Sequence, residues 1–197
     1  MKIIVVGATG IIGAKVVEAL STRHEVVGVA RGTERKLNLQ EPTTMRALFE
    51  QVREVDAVVF CAGSAIFKPL TELIDADYEL GLRSKLMGQV SLARIAMDHL
   101  RDGGSITLTT GTLAMRPMPG SASISMVNAG LEGFVRAAAL ELPRRLRINA
   151  VSPPWVKETM IKLHMDPTPG MASAVVAKAY VGAVEGSHQG EILDPRA

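Results

Sequence analysis

The stretch KIIVVGATGIIG near the start of the chain constrains the fold more than any other feature. The apolar run Ile3–Val6 leads directly into Gly7, Gly10 and Gly13, and a segment of helical periodicity follows. A strand, a tight turn and a helix in this order bring free backbone N–H groups and the positive end of a helix dipole close to a ligand. This position favours a pyrophosphate-binding turn over a glycine turn without a ligand.

The rest of the chain alternates short apolar runs with longer segments of helical period. The predicted strands are Lys2–Val6, Glu25–Ala30, Lys36–Leu39, Asp56–Cys61, Ser105–Thr110, Arg147–Val151 and Glu191–Leu193. The predicted helices are Ile12–Leu20, Thr43–Val52, Asp75–Leu100, Ser121–Leu142 and Ala172–Val184. Continuous apolar strands separated by helices indicate a parallel sheet covered on both faces. We therefore predict an α/β fold, a doubly wound parallel seven-stranded Rossmann sheet, in a single domain spanning residues 1–197.

The turn after the second predicted strand contains a basic residue at the position that determines cofactor specificity in dinucleotide-binding folds. An acidic residue about twenty positions past the glycines binds the ribose hydroxyl of NAD, whereas arginine accommodates the 2′-phosphate of NADP. Arg31 occupies this place, and Thr33 and Arg35 follow closely. The sequence therefore predicts NADP(H); the alternative is a solvated basic loop.

Several motifs together resemble the short-chain dehydrogenase/reductase family along essentially the whole chain. GATGIIG is similar to the cofactor turn of extended and atypical members, and CAG is similar to the Asn-Ala-Gly that ends the family's fourth strand. LNLQEP is similar to the segment that contacts adenine. RINAVSPPWVKETM is similar to the sixth strand and the turn over the nicotinamide. The resemblance implies NADP as cofactor, bound by Gly7, Thr9, Gly10, Ile11, Ile12, Gly13, Arg31, Thr33, Asn38, Cys61, Ala62, Gly63, Lys85, Pro153, Pro154, Val156 and Thr159.

The chain departs from the family pattern at the positions of the family's catalytic residues. The Tyr-x-x-x-Lys of the family corresponds to Ile124 and Asn128, so both the proton-donating tyrosine and the lysine that lowers its pKa are absent. The family's oxyanion-stabilising serine corresponds to the stretch LTTGT, where Thr110 at the strand end is favoured over Thr112.

A second departure suggests that the site is rebuilt. The family carries an asparagine on its fourth helix, and SKLMG places Lys85 there, so lysine and asparagine are exchanged between positions 85 and 128. The helical neighbours of Lys85 include no carboxylate. We predict Lys85, Thr110 and Asn128 as the catalytic group. The alternatives are a lysine stem that covers apolar surface and an asparagine that ties its helix to a loop.

Composition limits the partners. The chain has 22 basic and 20 acidic side chains, which argues against nucleic acid or a membrane surface and favours a small-molecule substrate. The single cysteine excludes an intrachain disulfide, and the first apolar run is too short for a signal peptide, so we expect a cytoplasmic protein. The four histidines have no metal-binding spacing, and no metal is predicted.

Small residues mark a candidate interface. Ala129, Gly133 and Ala137 recur at four-residue steps on the helix predicted at Ser121–Leu142. Such a row lets another backbone approach, and the family resemblance implies a homodimer through the two long helices. Packing of the same row against the chain's own sheet is the alternative.

Two functions therefore stay open. One is an NADP(H)-dependent oxidoreductase that transfers hydride to or from a small carbonyl or alcohol with a non-standard catalytic site. The other is a catalytically silent NADP(H)-binding sensor or regulator. The lost tyrosine and lysine favour the second function, and the exchanged lysine favours the first.

Overall fold

A computed structural model describes residues 1–35 and 37–197 of the chain. These residues form one parallel sheet with helices on both faces. The strands are β1 (Lys2–Val6), β2 (Glu25–Val29), β3 (Val55–Phe60), β4 (Leu100–Thr109), β5 (Arg147–Val151) and β6 (Ile192–Leu193). The helices are α1 (Ile11–Ser21), α2 (Pro42–Gln51), α3 (Asp75–Gly81), α4 (Gly88–His99), α5 (Ala122–Ala138), α6 (Lys157–Lys162) and α7 (Ser173–Glu185). A π-helical segment, Leu82–Met87, joins α3 to α4.

The strand order places a crevice next to β1. The sheet runs β2-β1-β3-β4-β5-β6, and every pairing is parallel. The chain leaves β1 toward one edge and returns to its other side with β3, so the topology reverses between these two strands. Ligands of doubly wound sheets bind outside the carboxyl ends of the strands at such a switch point.

The two faces of the sheet bury two apolar clusters, as the period of two along each strand requires. In β1, Ile4 and Val6 face the cluster covered by α2, α4 and α5, whereas Ile3 and Val5 face the cluster covered by α1 and α7. Because strands buried on both faces need apolar residues at every position, the continuous runs in the sequence identified the central strands correctly.

The prediction of seven strands is wrong, because the described residues form six. Lys36 of the predicted strand Lys36–Leu39 lies outside the described residues, and the positions that follow it form no strand. Asn38 has a side-chain oxygen that accepts a hydrogen bond from Gln40 N (3.1 Å), and its own N–H donates to Thr44 Oγ1 (3.2 Å). This local bonding forms a turn into α2, and side chain-to-backbone bonds of this kind compete with strand pairing.

The helix predicted at Asp75–Leu100 is α3, the π-helical segment and α4, and Leu100 already belongs to β4. The helix predicted at Ser121–Leu142 ends earlier, at Ala138, and α6 was not predicted. Within the described part of the chain, no helix combines the length and apolar character needed to cross a membrane.

Candidate functional site

The glycine turn between β1 and α1 is as tight as its sequence suggests. Gly7 has φ of 84°, a conformation that side chains disfavour, and a Cβ there would lie 2.8 Å from the carbonyl oxygen of Cys61. A Cβ on Gly13 would lie 2.0 Å from the carbonyl oxygen of Gly7. Only glycine therefore lets α1 start directly against the end of β1.

The start of α1 is open to an anion. The helix begins after Gly10, has no side-chain cap and carries no acidic residue in its first turn. The first N–H groups of a helix have no partner within the helix, and the helix dipole adds positive potential there. The cradle and the uncapped amides fit a pyrophosphate.

The first cavity lies beside this turn and has a volume of about 400 Å³. Its walls include, from the predicted cofactor residues, Gly7, Thr9, Gly10, Arg31, Asn38, Cys61, Ala62 and Gly63. These come from the carboxyl ends of β1, β2 and β3 and from the turn before α2. The structure therefore brings together the residues predicted for the adenosine half of a dinucleotide.

Three predicted cofactor residues do not line either cavity. Thr33 has a hydroxyl within 2.8 Å of Ala30 N and 2.9 Å of Ala30 O, so it holds the turn after β2. Gly13 lies beneath the glycine turn, and Ile11 stands at the first position of α1. Arg31 is exposed at the cavity wall.

A second cavity of about 310 Å³ continues the first, because Cys61, Ala62 and Gly63 line both. It contains the other predicted residues, namely Ile12, Lys85, Thr110, Asn128, Pro153, Pro154, Val156 and Thr159. Together the two cavities form one cleft across the topological switch point.

Lys85 enters the second cavity from the π-helical segment. Single π-helical turns often mark functional sites. Gly63, with φ of 128°, allows the π-helical segment to pack against the end of β3, since a Cβ at Gly63 would lie 3.0 Å from Lys85 Cα. The Lys85 ammonium donates to the carbonyl oxygen of Thr110 at 3.3 Å. Burial without a compensating carboxylate lowers the pKa of Lys85 to about 8.

The hydroxyl of Thr110 is directed toward α5. Its Oγ1 lies 3.1 Å from the carbonyl oxygen of Asn128 and 3.4 Å from Glu132 Oε1. Thr110 therefore presents its carbonyl oxygen to Lys85, while its hydroxyl is shared with the helix behind it.

Asn128 carries an unsatisfied acceptor at the cavity wall. Its Nδ2 donates to the carbonyl oxygen of Gly111 at 3.4 Å, whereas its Oδ1 is buried and has no partner within the described residues. Asn128 is 1% exposed. Because buried polar atoms are normally paired, the free oxygen points to a ligand or a water molecule at this position.

Sequence reasoning missed three groups that support the site. Gln89 is fully buried and bonds both Thr109 N (2.8 Å) and Thr109 O (2.9 Å), which fixes the end of β4. Tyr180 bonds Thr109 Oγ1 at 2.6 Å from the other face of the sheet. Glu132 is buried and pairs with Arg136 at 3.0 Å. Glu132 stands four residues after Asn128, and this shared helix face was the available signal.

No cluster of three or more potential metal ligands exists among the described residues.

The second cavity has apolar walls near Lys85, which Ile124, Leu113 and Trp155 supply. Trp155 packs edge-on against Phe67 with ring centroids 5.6 Å apart. Ile124 therefore lies in the cavity where the family resemblance expects a tyrosine.

Comparisons with known proteins agree with the geometry. A family model described as enoyl-(acyl carrier protein) reductase matches residues 6–189. A hydroxynaphthalene reductase-like protein Arp2 from Metarhizium brunneum is 34% identical over 124 residues, which cover 60% of this chain and 46% of that protein. Hydroxynaphthalene reductase arp2 from Aspergillus fumigatus is 34% identical over 107 residues, which cover 54% of this chain and 39% of that protein. The chain spans about half the length of the curated relatives it matches.

Solved structures extend the likeness to the whole chain. The protein lin1944 from Listeria innocua has a TM-score of 0.92 and 37% identity, and the match covers 98% of both chains. A small-chain dehydrogenase in complex with NADPH has a TM-score of 0.84 and 23% identity over 98% of this chain and 95% of that one, which shows the same fold. The chain belongs to the short-chain dehydrogenase/reductase family, and the resemblance noted from its motifs is confirmed.

Proposed function

We propose that this protein is an NADP(H)-dependent oxidoreductase that transfers hydride to or from a small carbonyl or alcohol substrate through a non-standard catalytic site. The observation that carries the proposal is one continuous cleft with a glycine cradle at one end and Lys85 at the other, where no carboxylate of the described residues pairs with it. A protein that only had to hold the adenosine half would not need a desolvated ammonium at the opposite end.

The proposed cofactor is NADP(H), because the Arg31 guanidinium lies at the wall of the first cavity. The NADPH-bound structural neighbour supports the same class of cofactor. In this proposal Arg31 binds the 2′-phosphate, and Thr33 shapes the turn that presents it. A charge-assisted phosphate contact of this kind contributes about 1.4 kcal/mol or more to the preference.

When bound, NADPH supplies the hydride, and the residues of the second cavity orient the reacting groups. Lys85 donates to the nicotinamide ribose and places its ammonium beside the oxygen on which negative charge develops. Asn128 offers its free Oδ1 to a hydroxyl, amide or water proton. Thr110 fixes Lys85 through its carbonyl oxygen at 3.3 Å. The apolar walls lower the local dielectric constant around these groups, which strengthens their electrostatic interactions.

Two observations favour the second function, a silent NADP(H)-binding sensor. Ile124 cannot donate a proton, and the Thr110 hydroxyl is directed to α5 rather than into the cavity. On this alternative the protein binds the cofactor in the same cleft but catalyses no turnover.

A carbonyl screen separates the two functions. Purified protein is first titrated with NADPH by calorimetry and then mixed with NADPH and a panel of quinones, electron-poor aldehydes and cyclic aromatic ketones. The panel includes keto tautomers of hydroxynaphthalenes because relatives are named hydroxynaphthalene reductases. Loss of the reduced-nicotinamide absorbance with any compound supports the oxidoreductase. Tight NADPH binding with no oxidation across the panel supports the sensor.

We further propose a cytoplasmic homodimer that forms through α4 and α5. Ala129, Gly133 and Ala137 are exposed on α5, so the row of small residues is free for another chain instead of packing on its own sheet. Light scattering after size-exclusion chromatography tests this: Gly133→Arg should give a monomer, and Ala174→Arg, on the exposed face of α7, should not change the mass. A monomeric wild type at micromolar concentration would reject the dimer.

A further inference from the structure

The proton that accompanies the hydride needs a donor, and the family's tyrosine is absent. Within the described residues, the titratable side chains that line the second cavity are Lys85 and Cys61. The Cys61 thiol is buried beside the Tyr180 hydroxyl, and burial raises its pKa far above neutrality. Tyr180 itself is fully buried, its pKa is raised by the same cause, and it bonds Thr109. Neither group is suited to give a proton near pH 7.

The hydroxyls of Thr109 and Thr110 are no better placed. Thr110 shares its hydroxyl with Asn128 O and Glu132 Oε1. Thr109 directs its hydroxyl to the carbonyl oxygen of Phe60 and to Tyr180. Alkyl hydroxyls are also far too weakly acidic to donate without a base that replaces their proton.

Lys85 has the geometry of a donor. Its ammonium carries three protons, and one hydrogen bond, to Thr110 O at 3.3 Å, is formed. Two protons therefore remain for groups in the cavity. No carboxylate lies within 4.0 Å of this ammonium among the described residues, so no ion pair holds its protons.

The surrounding charges leave Lys85 free to titrate. On α5, Glu132 pairs with Arg136 at 3.0 Å and is separated from Lys85 by Thr110. On α3, Asp77 pairs with Lys68 at 3.2 Å. Arg83 on the π-helical segment is exposed, and Cys61 and Tyr180 stay neutral. Burial is thus the cause that lowers the pKa of Lys85 to about 8, which suits a general acid near neutral pH.

We propose that Lys85 is itself the general acid of the reduction and transfers a proton from its ammonium directly to the carbonyl oxygen of the substrate. The carbonyl carbon gains the hydride as NADPH is oxidised to NADP⁺, the oxygen gains the proton, and Lys85 is left as a neutral amine. Water that enters the open cleft protonates the amine again. Asn128 lines the same cavity beside the reacting groups. The inference rests on the proposed oxidoreductase function.

Lys85→Arg and Lys85→Met separate an acid from a fixed charge. Arginine keeps the positive charge but cannot be deprotonated in a protein. We expect Lys85→Arg to bind NADPH within about threefold of wild type and to lose at least about a hundredfold in kcat, in the range of general acid catalysis. Lys85→Met should lose as much kcat, and a small alkylammonium added to it should restore part of the activity. Lys178→Arg, on the exposed face of α7, is the matched control and should retain full activity.

A measurement independent of turnover accompanies the kinetics. The Lys85 ammonium is titrated by NMR in ¹³C-lysine-labelled protein and assigned with Lys85→Arg. A midpoint near pH 8, matched by a fall in kcat for reduction as pH rises through the same value, supports the inference. A midpoint near pH 10.5, or an active Lys85→Arg variant, overturns the role of Lys85 as general acid. If the wild type is active in either case, the oxidoreductase function still stands. A wild type that binds NADPH but reduces nothing overturns both.

Discussion

The two ends of the cleft are built by different means. At the first cavity, the backbone forms the site: glycines make the turn, and the amides at the start of α1 have no side-chain cap. At the second cavity, side chains from the π-helical segment, β4 and α5 form it. A backbone site tolerates changes in most side chains, whereas a side-chain site changes with each substitution. The comparison explains how the family's cradle persists beside an altered catalytic group.

The largest expected effect comes from the backbone site. Gly13→Ala would place a methyl group 2.0 Å from Gly7 O and force α1 away from β1, so NADPH affinity should fall by more than about a hundredfold. Calorimetry measures the affinity, and circular dichroism checks the fold. Gly182→Ala is the control, because a Cβ there meets nothing within 4 Å and alanine favours a helix by up to about 1 kcal/mol. Unchanged affinity in Gly13→Ala would contradict the cradle.

Arg31 should set the cofactor preference. Wild type is expected to bind NADPH at least about tenfold more tightly than NADH, and Arg31→Asp should reverse the order because a carboxylate repels the 2′-phosphate and binds the ribose hydroxyl. Arg35→Asp, an exposed residue that does not line the cavity, should leave the preference unchanged. Equal affinities of wild type for both cofactors, measured by calorimetry, would remove the role of Arg31.

The partly buried ammonium of Lys85 should cost stability. Since the folded state lowers its pKa from 10.5 to about 8, the folded protein disfavours the charged form, and the cost is fully present below pH 8. Lys85→Met should therefore unfold at a higher temperature than wild type at pH 7, by about 1–3 kcal/mol in unfolding free energy. The difference should shrink between pH 8 and 10.5. A difference that does not depend on pH would show that Lys85 is not desolvated.

The smallest effect is expected from restoring the tyrosine. Ile124→Tyr places a phenol in the second cavity, but position 128 has no ammonium to lower its pKa. We expect kcat within about threefold of the Ile124→Phe control, which fills the same space without a hydroxyl. A rise well beyond that range in NADPH oxidation would show that Lys85 reaches the phenol.

The sequence predicted the backbone part of the molecule better than the side-chain part. The runs Lys2–Val6 and Arg147–Val151 match β1 and β5 because buried strands need apolar residues throughout. The glycine turn was equally readable. The segment after Lys36 was misread because Asn38 forms a local turn, which an apolar pattern does not reveal.

The candidate site was only partly readable. Lys85 and Asn128 were found by their place in a family motif, and the structure puts both at one cavity. The sequence could not show that the Thr110 hydroxyl lies within hydrogen-bond distance of Glu132 or that Gln89 bonds the end of β4. It also could not show that Lys85 lies on a π-helical segment. These features depend on contacts between elements distant in the chain, which local patterns do not encode.

A crystal structure of the NADP⁺ complex tests the comparison between the two ends most directly. The account predicts the pyrophosphate against the first amides of α1, the 2′-phosphate at Arg31, and Lys85 Nζ within hydrogen-bond distance of the nicotinamide ribose, about 2.7–3.2 Å. An ordered adenosine half with the nicotinamide outside the second cavity, and Lys85 still bonded to Thr110 O alone, would contradict a rebuilt catalytic end.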